Sequence, residues 1–79
     1  KGAMAADDFW IKDPISGCAL WTRKQPEQGE VPSWAGGCKD GHADGPGLLS
    51  WFRDQQLWGR FQGTMHGGQA SGYGDLWLR

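Results

Sequence analysis

Along the chain, apolar residues come in short blocks with two-residue alternation, broken by glycine-, aspartate- and proline-bearing turns. No window of 11 or more residues shows the apolar spacing of a helix. Phe9 to Lys12 form an apolar patch closed by Asp13-Pro14, and the proline biases Asp13 toward extended backbone, which predicts a lead-in strand or a strap across a sheet. Ile15 to Thr22 has the length and bulk of a strand, followed by a polar loop over Arg23 to Glu30. Val31 to Cys38 is the next predicted strand, Lys39 to Asp44 a turn, and Gly45 to Phe52 a returning strand. Within that turn, Asp40-Gly41 is a favoured hairpin dipeptide, because both residues tolerate the positive φ of tight turns. Arg53 to Gln56 then connects to a strand over Leu57 to Met65, His66 to Gly68 turns, and Gly72 to Leu78 ends the series. These blocks predict an all-β fold, a single curved antiparallel β-meander of hairpin repeats with about five to six strands.

The stretch from Trp34 to Trp51 is nearly restated 27 positions later. Trp34 falls on Phe61, Leu49 on Leu76 and Trp51 on Leu78, while Gly36, Gly41, Gly45 and Gly47 fall on Gly63, Gly68, Gly72 and Gly74. The predicted division is a degenerate unit over residues 15–33, a first repeat over 34–52 and a second over 57–79, all inside one domain of residues 7–79. Residues 1–6 are expected to be a non-native or disordered lead. A glycine inside a strand weakens the sheet unless a ring packs over it. Trp34 and Phe61 are therefore expected to cover Gly47 and Gly74 from the neighbouring strand, with Leu49 and Leu76 filling the adjacent space. On this reading Trp34, Leu49, Trp51, Phe61, Met65, Leu76 and Leu78 are buried on one face, each contributing roughly 1.5 to 3 kcal/mol. Alternation sends Leu48, Phe52, Trp58, Arg60 and Trp77 to the opposite face, which is either open or covered by Phe9, Trp10 and Ile11.

Composition narrows the function. A chain of 79 residues makes one small domain, too small for a deep catalytic pocket. It carries 14 glycines, but six tryptophans, three phenylalanines and a tyrosine argue against a disordered glycine-rich tail. A net charge of −1 with no basic run leaves no electrostatic footprint for nucleic acid or an anionic membrane. No apolar run approaches the roughly 20 residues of a transmembrane segment.

At Trp34-Ala-Gly36-Gly-Cys38 with Gly41, at Gly45-Pro-Gly47-Leu-Leu49, and at Phe61-Gln-Gly63-Thr-Met65 with Gly68 and Gly72-Tyr-Gly74-Asp-Leu76, the chain resembles the MORN repeat family. Gly17-Cys18-Ala-Leu-Trp21 ahead of Trp34 to Cys38 also resembles the bacterial, cysteine-containing, exported branch. Cys38 and Met65 stand where the family often has an aromatic, and the 27-residue spacing is longer than the family's commoner one. The resemblance implies a single curved antiparallel sheet and a role in protein or lipid contacts, not catalysis.

The chemistry-bearing residues are few. Cys18 and Cys38 lie on predicted strands joined by one loop. They are expected to pair across a hairpin as a disulfide worth ~3 kcal/mol, the alternative being two free thiols in a cytosolic protein. Asp40 to Gly45 shares two acids and a glycine with a calcium loop, but has His42 at the third position and Trp51 at the twelfth. Cys18, Cys38, His42 and His66 lack the paired spacing of zinc ligands. There is no phosphate-binding glycine loop and no serine elbow, and Asp40 and Asp44 sit in a solvated turn. No cofactor, metal or catalytic residue is expected.

What remains is surface. Phe52, Trp58, Arg60, Trp77 and Leu48 combine the residue types enriched where proteins bind one another. The expected function is a non-enzymatic protein–protein interaction module, periplasmic or secreted, of inhibitor, immunity or scaffold type. An unpaired end strand also leaves room for a homodimer through the sheet edge. The alternative is a module that binds glycan, peptidoglycan or lipid headgroups on Trp58, Trp77 and Phe52.

Overall fold

The computed structural model describes residues 9–22 and 27–79. The predicted lead over residues 1–6 and the first part of the polar loop, residues 23–26, lie outside the described residues. The fold is all-β, with strands β1 (Phe9–Lys12), β2 (Ala19–Thr22), β3 (Glu30–Lys39), β4 (His42–Arg53), β5 (Gln56–His66) and β6 (Gln69–Leu78). Strands β3 to β6 form consecutive antiparallel hairpins. β1 pairs with β2 antiparallel, and β2 meets β4 through a parallel bridge between Ala19 and His42. The sheet is therefore mixed, rather than antiparallel throughout.

The hairpins close on two-residue turns whose central residues all have positive φ, at Asp40-Gly41 (53° and 80°), Asp54-Gln55 (51° and 70°) and Gly67-Gly68 (59° and 84°). That geometry matches the right-handed twist of the flanking strands. The Asp40-Gly41 turn is tighter than the six-residue turn expected, so His42 to Asp44 already belong to β4. Gly45 (φ 88°) and Gly72 (φ 75°) sit where the register slips, between Gly36 and Gly37 on β3 and between Gly63 and Thr64 on β5. A bulge there needs left-handed backbone that a side chain would resist.

Both expected ring-on-glycine contacts are present. A methyl carbon placed at Gly47 would lie 2.6 Å from Trp34 Cη2, and one at Gly74 would lie 2.6 Å from Phe61 Cζ. Each ring also lies over a glycine of its own strand, Gly36 under Trp34 and Gly63 under Phe61. The Trp34 indole N–H donates to the Gly37 carbonyl at 2.8 Å, which fixes the ring in plane over the bare backbone.

β1 and β2 run across the turn ends of the two glycine-bearing hairpins. The Ala19 N–H donates to Gly41 O and the Trp21 N–H to Gly68 O, both at 2.8 Å. Leu20 from β2, with Ile11 from β1 against it, packs on the face that carries Trp34, Leu49 and Met65. Of the two alternatives for the second face, open or covered by Phe9 to Ile11, this leaves it without that cover. β2 is also shorter than predicted, because Pro14 to Ser16 form a turn and Ile15 is exposed.

The core, made of Cys18, Leu20, Trp34, Ala43, Leu49 and Met65, gathers at that turn end. Trp51 and Phe61 are only partly buried, and Leu76 and Leu78 are 67% and 64% exposed, contrary to their expected burial. The reason is length: four-residue β1 and β2 cannot roof strands of 10 to 12 residues.

Candidate interaction surface

The turn that launches β2 is built around Asp13, a carboxylate that is only 3% exposed. Ser16 donates to Asp13 Oδ2 through both its N–H (2.7 Å) and its hydroxyl (2.6 Å), and the Trp34 N–H reaches Oδ1 at 3.4 Å. Burial pushes the Asp13 carboxyl up, but the hydrogen bonds from Ser16, Trp34 and Ile15 together outweigh it and hold the group below its ordinary value. The adjacent disulfide joins Cys18 to Cys38, with a Cα–Cα separation of 5.8 Å. It does not span a hairpin, as the spacing suggested; it ties the residue before β2 to the far end of β3. Asp13 and the disulfide thus clamp the β1–β2 hairpin against β3. That clamp fixes where Trp21 stands.

Trp21 forms one wall of an open groove of about 420 Å³ on the core face, with Trp51, Phe61, Met65, Leu76 and Leu78 as floor and far wall. The far side of the groove is β6, an edge strand whose residues are all exposed. The Arg79 N–H donates to Trp58 O at 2.8 Å. Since the hydrogen-bonding direction alternates along an antiparallel strand, Asp75 and Trp77 also turn their backbone groups toward β5. Gly74, Leu76 and Leu78 then turn theirs outward. The two leucine side chains border the groove at the same residues whose N–H and C=O groups face the open edge.

The five surface residues expected to act together are divided. Leu48, Arg60 and Trp77 border a shallow hollow of about 270 Å³, with Gln62 and Asp75 beside them. The Arg60 guanidinium lies 5.5 Å from the Trp77 ring centroid. Trp58 lies instead by the β4–β5 bulge, with the Arg53 guanidinium 4.1 Å from its ring centroid. Arg53 is itself held by Glu30 at 2.7 Å, a hydrogen bond that raises its already high pKa. Phe52 is half-buried, in register with Val31 and Leu57. Trp58 and Trp77 are 38% and 45% exposed.

The acids and histidines of the turns do not converge on a metal. Asp40 lies in the β3–β4 turn, whereas Asp44 lies on β4, accepts from the Gly67 N–H at 3.4 Å and stands 3.6 Å from His66 Nδ1. Among the described residues, no three His, Cys, Asp or Glu side chains are grouped to hold an ion. Nor is any helix there long and apolar enough to cross a membrane.

Sequence reasoning missed the groove. It placed Leu76 and Leu78 in the core and gave Trp21 no surface role. The available signal was arithmetic, since two four-residue blocks cannot cover the apolar face of four long strands. Comparison of the chain with family models, with curated proteins and with solved structures finds no match.

Proposed function

We propose that this chain is a non-enzymatic protein–protein interaction module of the bacterial cell envelope. It takes an extended segment of a partner protein along β6, and alternate apolar side chains of that segment enter the groove. The observation that carries this reading is the coincidence at Leu76 and Leu78 of outward backbone groups with exposed side chains on the groove wall. Strand addition uses both features, main-chain hydrogen bonds for affinity and alternate side-chain pockets for specificity. An apolar groove left open beside an unpaired edge is otherwise an aggregation hazard. The resemblance to MORN repeats supports a role in protein contacts, and an inhibitor, immunity or scaffold role accommodates such a module. The disulfide is compatible with an oxidising compartment, which supports export to the periplasm or beyond.

Capture from envelope extract tests the reading. The wild-type chain retains a stoichiometric protein, and a Leu76→Ser/Leu78→Ser variant with an unchanged melting temperature loses it. Equal capture by both would refute the groove as the docking site. A second reading, glycan binding, draws on the hollow beside Trp77, where a ring is flanked by Arg60, Gln62 and Asp75. Tryptophan fluorescence quenched by oligosaccharide, and abolished in Trp77→Ala, would favour that reading instead.

A further inference from the structure

We infer that the strand added at the β6 edge is β6 of a second copy of this chain, paired antiparallel about a twofold axis at Trp77. The inference rests on the proposed reading of β6 as a docking edge and names its occupant. Because Gly74, Leu76 and Leu78 turn their backbone groups outward, a self-pairing must match these positions with one another. Only registers differing by two residues satisfy this. With the axis at Trp77, Leu76 and Leu78 form hydrogen-bonded pairs with the second copy's Leu78 and Leu76. Trp77 meets its own counterpart at a non-hydrogen-bonded site on the other face, and Asp75 stands opposite the second copy's Arg79. Each pair is of a kind that stabilises a sheet: apolar with apolar, aromatic with aromatic, acid with base. Moving the axis to Leu76 sets Asp75 against Trp77, and moving it to Asp75 sets the two aspartates against each other. The Trp77 register is the one in which the charges complement. It also joins the two grooves along a shared row of four leucines, giving the exposed Leu76 and Leu78 side chains a neighbour.

Sedimentation analysis of the intact, disulfide-bonded chain from micromolar to millimolar concentration tests this, together with single cysteine substitutions. A monomer–dimer equilibrium is expected, weakened roughly thirtyfold by Arg79→Asp, which replaces two attractive pairs with two repulsive ones. The double reversal Asp75→Arg/Arg79→Asp restores it. At the twofold axis, facing Cα atoms lie about 4.5 Å apart, within disulfide reach, so Trp77→Cys forms a covalent dimer on oxidation. Leu76→Cys does not, because its counterpart is displaced by two residues. A chain that stays monomeric at every concentration overturns the inference, as does a dimer indifferent to Arg79→Asp or one cross-linked through Leu76→Cys. A monomer that still captures a different protein through Leu76 and Leu78 refutes self-pairing while leaving the docking edge intact.

Discussion

Replacing Gly47 by alanine is the sharpest probe of how the sheet is held together. The added methyl would press on the Ala35 backbone carbonyl oxygen and lie 2.6 Å and 2.8 Å from two atoms of the Trp34 ring, closer than packed atoms approach. Trp34 is 5% exposed and anchored by its indole hydrogen bond to Gly37, so it has little room to yield. Overpacking of this kind costs about 1 to 3 kcal/mol. Displacing the ring also forfeits its hydrogen bond, worth ~0.5 to 1.5 kcal/mol. Stiffening the unfolded chain returns about 0.4 to 1 kcal/mol. The net loss is about 2 kcal/mol, a fall of roughly 8 to 16 °C in melting temperature for a domain of this size. The assay is thermal unfolding by circular dichroism with the disulfide intact. Gly74→Ala crowds the Phe61 ring in the same way, but that ring is only half-buried and borders the open groove, so its loss is smaller. Gly67→Asn is the control: nothing lies within 4 Å of that position, and asparagine tolerates its φ of 59°. A Gly47→Ala protein that melts with the wild type, or a Gly74→Ala protein that suffers more, would refute the ring-on-glycine account.

Asp13→Ala leaves the N–H groups of Ser16 and Trp34 without their acceptor and should cost about 2 to 4 kcal/mol in chemical denaturation. Because the folded carboxyl titrates below its unfolded value of about 3.9, its stabilisation is present above that pH and is lost as the pH falls through the lower folded value. Asp13→Asn should therefore flatten the acid limb of a stability–pH curve. Cys18→Ser/Cys38→Ser opens the covalent tie and should lower stability by ~3 kcal/mol in the same denaturation assay, an unchanged midpoint counting against a structural role. Leu76→Ser/Leu78→Ser should move the melting temperature by only a few degrees, because both side chains are mostly exposed, yet abolish partner capture.

The strand pattern, the Asp40-Gly41 turn and the placing of rings over glycines were legible because each follows from local rules: two-residue alternation, turn chemistry and the missing Cβ of glycine. The Asp54-Gln55 turn was harder to read, since glutamine is not a residue that announces positive φ. Asp13 looked like a strand terminator beside a proline; its acceptor role depends on Trp34, 21 positions away. The path of β1 and β2 was not legible either. Alternation tells which residues share a face but not which face a short leading hairpin will cross, and the hairpin's four-residue strands end before they cover Leu76 and Leu78, which form the groove wall instead of core. Of the five residues picked for the surface, Leu48, Arg60 and Trp77 come together, while Trp58 is carried away by a bulge no motif marks.

Backbone amide exchange along β6, in the chain diluted to the monomer and in its saturated complex, tests strand addition most directly. The amides of Leu76 and Leu78 should exchange fast when free and become protected on binding, while that of Trp77, already paired with β5, changes little. Leu76 and Leu78 amides that exchange at the free rate in the saturated complex would contradict the account.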